Sequence, residues 1–178
     1  MGMPEQVIEA TLKVIEECGV KDVTVRKVAE ELGRSTTVVT HYFPTREHLL
    51  EAALAKSFAQ SKSQALLFIQ GSDDQLWAFI KWSVSTEVRK VWIQLVVAHL
   101  AGLDAHVSKQ IDEFIYWWEY QLLKLLEGRV VPGRTSQEVC DIIGVVVEGI
   151  LLSENREFAS GLNSEQLLRA TISPLLRT

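Results

Sequence analysis

Ser35, Thr36, Thr37, Thr40 and His41 place five short hydrogen-bonding side chains within seven residues, with Arg34 just before them and Tyr42 just after. Hydroxyl and imidazole groups of this size bond phosphate oxygens and the edges of bases. No acidic residue stands between Gly33 and Phe43, so a polyanion meets no repulsion along this stretch. The chain as a whole carries a formal charge of −5, and its first fifty residues hold six bases against eight acids. Net charge therefore speaks against a nucleic-acid partner, and only the local arrangement speaks for one.

Two short helices would position these groups. Val7, Ile8, Thr11, Val14, Ile15 and Cys18 recur at three- and four-residue steps and predict a first amphipathic helix, opened by Pro4 and ended by Gly19. Thr24 is placed to cap a second helix, with Val23 and Val28 as a hydrophobic staple. Val25, Val28, Ala29 and Leu32 form its apolar face, and Gly33 follows. Ser35 caps a third helix, Thr36 to about Tyr42, which Pro44 keeps short. Residues 24–43 thus read as a helix-turn-helix, with apolar residues packed inward and the polar groups left outward. The same layout also occurs in protein-binding modules, so spacing alone leaves both readings open. Thr45 then caps a long fourth helix carrying Leu49, Leu50, Ala53, Leu54 and Phe58.

The pattern resembles the tetracycline-repressor (TetR) family of transcriptional regulators. The resemblance rests on Val7-Ile8-Glu9-Ala10, on Gly19 followed by Thr24-Val25-Arg26, on Val28-Ala29-Glu30, and above all on the junction His41-Tyr42-Phe43-Pro44-Thr45-Arg46-Glu47-His48-Leu49. It covers about the first fifty residues. It implies an all-α chain of about nine helices, with a DNA-binding head over 1–50 and a ligand-binding, dimerising body over 51–178. The head's candidate DNA contacts are Thr24, Arg26, Arg34, Ser35, Thr36, Thr37, Thr40, His41, Tyr42 and Arg46. Arg26 and Lys27 either touch the DNA backbone or solvate the second helix, and Phe43 reads as core. Arg46 sits at a helix N-terminus, where the dipole favours an anion, and a nearby phosphate would relieve that conflict. Two positions depart from the family's habit: Thr37 stands where many members have glycine, and Thr40 where many have tyrosine. Arg34 also occupies a turn position that is usually apolar.

The body reads as helix throughout. A fifth helix opens after Ser72-Asp73-Asp74, a sixth spans about Glu87 to Leu100, and a seventh runs from Asp104 to near Gly128. Residues 128–134 form the clearest loop. Thr135 and Glu138 form a capping box for an eighth helix reaching about Ser160, and a ninth runs from Ser164 to about Leu176. The eighth is apolar nearly all round, so it must be covered on both sides. Its Gly144 and Gly149 suggest close approach by another helix. In the resembled family the last two helices of two subunits form a four-helix bundle. That implies a homodimer here, with Val139, Ile143, Val146, Val147, Ile150, Leu151, Leu168 and Ile172 as interface candidates, joined by Leu167, Leu175 and Leu176.

All five tryptophans lie in the body. Aromatic side chains line ligand pockets, although in a helical core they more often simply pack. Trp82, Trp92, Leu95, His99, Phe114, Trp117, Trp118 and Gln121 are the candidates for holding a small apolar or aromatic ligand. Trp117 and Trp118, being adjacent, are expected to point in different directions.

The bulk composition excludes other classes. With 47% apolar and 23% charged residues the 178-residue chain is ordinary globular protein. No apolar run approaches a membrane span, and the N-terminus lacks a signal-peptide layout, so a cytoplasmic protein is expected. Cys18 and Cys140 read as buried, reduced thiols. No metal, cofactor or catalytic motif is present, so an enzyme is not expected. The competing readings are a DNA-binding organiser without inducer and a helical protein-interaction module.

Overall fold

The computed structural model describes residues 2–90, 92, 105–153 and 161–177, the side chains of 105–107 excepted. Among the described residues there are eight α-helices: α1 (Met3–Cys18), α2 (Val25–Leu32), α3 (Thr36–Tyr42), α4 (Arg46–Gln70), α5 (Gln75–Ser83), α6 (Ala105–Leu126), α7 (Ser136–Leu152) and α8 (Ser164–Ile172). The architecture is all-α, as the periodicity requires. Residues 86–90 and Trp92 are also helical, and the rest of the expected sixth helix lies outside the described residues. Two compact units are present: Met1–Ser63 with Lys90–Phe114, and Gln64–Arg89 with Ile115–Thr178.

In the first unit, α1 packs on α2 and α2 on α3. The buried stripe of α1 is Val7, Ala10, Thr11 and Val14, and the Thr11 hydroxyl is satisfied by donating to the Val7 carbonyl at 2.8 Å. Cys18 falls at the flank of that stripe and is exposed, which corrects the expectation of a buried thiol; Cys140 is buried. The Thr24 hydroxyl accepts from the Lys27 N–H at 3.2 Å and caps α2, a contact worth about 1 kcal/mol. Gly33 ends α2 at φ 65°, a left-handed conformation that any β-carbon would strain. Leu49, Leu50, Ala53, Leu54 and Phe58 of α4 are all buried.

The core of the second unit is built from Leu76, Phe79, Ile80 and Trp82 of α5, Leu122 and Leu126 of α6, Val139, Ile143, Val147, Ile150 and Leu151 of α7, and Leu168 and Ile172 of α8. Thr135 and Glu138 make the expected capping box at α7. α7 runs to Leu152 with Ser153 at its C-cap, where the Ser153 hydroxyl turns back to the Gly149 carbonyl; residues 154–160, over which the helix was expected to continue, lie outside the described residues. The last helix ends earlier than its periodicity suggests. α8 stops at Ile172 and tightens into a 3₁₀ turn, because Pro174 has no N–H to offer a preceding carbonyl. The loop of residues 128–134 is tied down: Val130 and Leu176 form an antiparallel bridge, and the Arg177 N–H donates to the Arg129 carbonyl at 2.7 Å.

Candidate nucleic-acid interface and ligand-binding body

Helix α3 is a rod with a single anchored face. Val39 is fully buried and Val38 half-buried, which pins the helix against the head. Arg34, Ser35, Thr36, Thr37, Thr40, His41 and Tyr42 are all exposed. The structure therefore brings these seven expected contacts onto one solvent-facing segment free of acids. Ser35 occupies the N-cap position, yet its hydroxyl makes no cap hydrogen bond and stays available to an external acceptor. The His41 and Tyr42 rings meet edge to face, with centroids 4.8 Å apart, and so present a joint polar edge.

Thr40 and Arg46 behave differently from their neighbours. The Thr40 hydroxyl donates back to the Thr36 carbonyl at 3.1 Å and lies 3.3 Å from that of Thr37. Its proton is committed within the helix, and a phosphate oxygen, being acceptor-only, gains nothing from it. Arg46 turns away from α3. Its Nε donates to the Val23 carbonyl at 2.8 Å, and its Nη2 donates to those of Val20 at 2.9 Å and Lys21 at 3.3 Å. The charge conflict at the start of α4 is resolved by these three carbonyls, at the end of the 3₁₀ turn Val20–Asp22, with no phosphate needed. Sequence reasoning missed this because the acceptors lie more than twenty residues upstream.

The remaining cations differ in freedom. Arg26 pairs with Glu30 one turn along α2 at 3.3 Å, a surface pair of little net energy that readily opens. Thr24 is exposed, although its hydroxyl is engaged as the α2 cap. Arg34 has no side-chain hydrogen bond or ion pair among the described residues.

In the second unit, the rings of Trp82, Trp117 and Trp118 converge on Phe79, a residue the sequence reading passed over. Trp82 stacks on Phe79 with centroids 5.6 Å apart, Trp118 stacks at 5.8 Å, and Trp117 stands edge-on at 6.2 Å. Adjacent in sequence, Trp117 and Trp118 nevertheless reach the same ring. The Trp118 indole N–H donates to the Ser83 hydroxyl at 2.7 Å. Gln121 is half-buried in this unit. Trp92 and Phe114 belong to the first unit, where Phe114 stacks on Phe58 at 4.6 Å. Leu95 and His99 lie outside the described residues.

The predicted interface residues are placed otherwise than expected. Val139, Ile143, Val147, Ile150, Leu151, Leu168, Ile172 and Leu176 are buried within the chain itself, and Val146, Leu167 and Leu175 are partly exposed. A side chain already enclosed by its own subunit has no surface left for a partner. The outward face of α7 is instead half-buried Ile142, Val145 at 71% exposure, Gly149, and Leu152 at 58%. A β-carbon at Gly144 would sit 3.9 Å from the Trp118 ring, so that glycine serves packing within the chain, whereas one at Gly149 would meet nothing. Among the described residues no cluster of potential metal ligands occurs, and no helix is long and apolar enough to cross a membrane.

Known proteins share this arrangement. Residues 7–53 match the profile of the bacterial regulatory proteins of the tetR family. The HTH-type transcriptional regulator BetI of Escherichia coli is 34% identical over 160 residues, covering 83% of this chain and 79% of that protein. BetI 1 of Chromohalobacter salexigens is 23% identical over 189 residues, covering 93% of this chain and 91% of that protein. Among solved structures, a transcriptional regulator from Saccharomonospora viridis in complex with choline superposes with a TM-score of 0.83 at 15% identity, over 98% of each chain. These relatives are regulators of transcription and not enzymes. The match to the head's motif and the extended identity with BetI together establish that this chain belongs to the tetR family, as a DNA-binding transcriptional regulator.

Proposed function

We propose that this chain is a ligand-released repressor that binds a near-palindromic operator as a homodimer, with residues 1–50 as the operator-binding head. The observation that carries this reading is the exposed, acid-free face of α3. Ser35, Thr36, Thr37 and His41 would read base edges and phosphates, with Arg34, Arg26, Thr24 and Tyr42 on the backbone. Two such helices in a symmetric pair would enter successive major grooves about 34–36 Å apart.

The outward face of α7 supports the dimer: Ile142, Val145, Gly149 and Leu152 form an apolar stripe with a glycine at its centre, suited to close approach by the same helix of a second subunit. A small molecule held at the aromatic residues of the body would act through α4, the continuous helix from Arg46 to Gln70. Such coupling is reciprocal, so operator DNA should weaken ligand binding by the same factor. The choline held by the Saccharomonospora protein supports a small organic ligand of this kind. A gel shift on the DNA upstream of the chain's own gene tests the reading. A shift abolished by Thr36→Ala combined with His41→Ala is expected. Absence of any shift would leave a protein-interaction module, and a shift that no small molecule releases would leave an inducer-free organiser.

A further inference from the structure

The aromatic unit contains buried donors with no acceptor among the described residues. Trp82 is only 2% exposed, and its indole N–H has no hydrogen-bond partner among the described residues. Seven residues further on, in the helical segment 86–90 of the same unit, the Nε and Nη2 of Arg89 are likewise buried and unpartnered. The contrast with Trp118, whose N–H is met by Ser83 at 2.7 Å, shows that this region satisfies an indole where it has the means. Buried donors without partners cost stability, and each one in a native protein calls for an explanation. Every missing partner here is an acceptor, and one of the two donor groups carries a full positive charge.

We propose that the second unit binds a small organic carboxylate, whose oxygens accept from Arg89 and the Trp82 indole while its apolar remainder lies against the Trp82 and Phe79 rings. The proposal rests on the reading of the body as a ligand site and names the ligand's class. A guanidinium presents parallel N–H groups that match the two oxygens of a carboxylate. One fixed positive charge is balanced by one negative charge, which favours a carboxylate over a phosphate dianion. A bare cation brings no counter-charge to Arg89. A zwitterion does, and its cationic end would still meet the aromatic faces.

Two matched pairs of probes test this in the full chain: pivalate against neopentyl alcohol, and trimethylglycine against choline. Each pair keeps the tert-butyl or trimethylammonium end and exchanges carboxylate for hydroxyl. Tryptophan emission and thermal melting should show the carboxylate binding roughly tenfold to a hundredfold more tightly than its alcohol. Arg89→Met and Trp82→Phe should each abolish that preference, and Arg89→Met should raise the melting temperature of the ligand-free protein, since it removes an unpartnered buried charge at similar volume. A merely structural role would lower it. Equal binding within both pairs overturns the carboxylate inference and leaves the ligand site standing. So does a failure of both carboxylates to bind a protein that still binds operator DNA. The ligand site itself fails separately, if no compound of any class releases the DNA.

Discussion

Replacing Arg46 with alanine separates two roles that the head's sequence does not distinguish. In the structure the guanidinium bonds the carbonyls of Val20, Lys21 and Val23 at 2.9, 3.3 and 2.8 Å. Truncation leaves the part-buried Val23 carbonyl without this donor, whereas the Val20 carbonyl keeps the Val23 N–H at 3.4 Å. Leaving a buried acceptor unsatisfied costs about 1–3 kcal/mol, and for one part-buried carbonyl that water can reach the loss should be about 1–2 kcal/mol. For a chain of this size that corresponds to a fall in melting temperature of roughly 2–8 °C. Arg46→Lys should recover less than half, because an ammonium cannot fork across separated carbonyls. The second measurement is the salt dependence of operator binding, where each phosphate contact contributes about 0.9 to the slope of log K against log salt. That slope should be unchanged at a temperature where the variant is folded. A variant that melts like the parent and loses about 0.9 from its slope would refute the structural role and make Arg46 a phosphate contact.

Arg34→Ala should show the opposite signature in the same two assays, an unaltered melt and a slope reduced by about 0.9, because its side chain is exposed and makes no hydrogen bond or ion pair among the described residues. Thr40→Val should leave operator affinity in a gel shift unchanged, since the hydroxyl proton serves Thr36; a loss of about tenfold would mean that the side chain rotates to meet DNA. In sedimentation, Val145→Asp should give a folded monomer, whereas Ile143→Asp should unfold the chain, because the first is exposed and the second fully buried. Burial pushes the Cys140 thiol up to about 12, with Glu119 and Asp141 adding repulsion. Only Cys18 should therefore react with a thiol reagent near pH 8. A pKa raised by folding favours the neutral form, so this contribution to stability is complete below the ordinary thiol value near 9 and is lost as pH rises from there toward 12; a Cys140→Ala melt series should lack that decline.

The head was legible because its signals are local. Thr24 caps the helix that begins at the next residue, Gly33 supplies the left-handed turn, and an acid-free run needs no tertiary information to be recognised. Thr40 and Arg46 were not legible, since a rotamer that bonds back to its own helix and a cluster of carbonyls twenty residues upstream leave no mark in spacing. In the body, the all-round apolarity of α7 reads as cover on both sides, whereas within the chain Val145 and Leu152 stay exposed. Periodicity alone does not say which side the chain itself covers and which faces out, so the deepest residues were assigned to an interface. Phe79 went unnoticed beside five tryptophans, although its place on the same buried stripe as Leu76, Ile80 and Trp82 was available. Pro174 was a readable stop signal for α8 that the apolar pattern of Leu175 and Leu176 obscured.

Because α4 belongs to both compact units, the chain has a phase as well as a length. Its buried residues Ala53, Leu54 and Phe58 lie on one side of Ser63, and Ala65 and Ile69 on the other. A single residue inserted between these groups would turn the second group by about 100° about the helix axis relative to the first. Four inserted residues would come back to within about 40° and be far better tolerated. A splice through this helix therefore keeps its phase only where the count of residues from Arg46 is preserved.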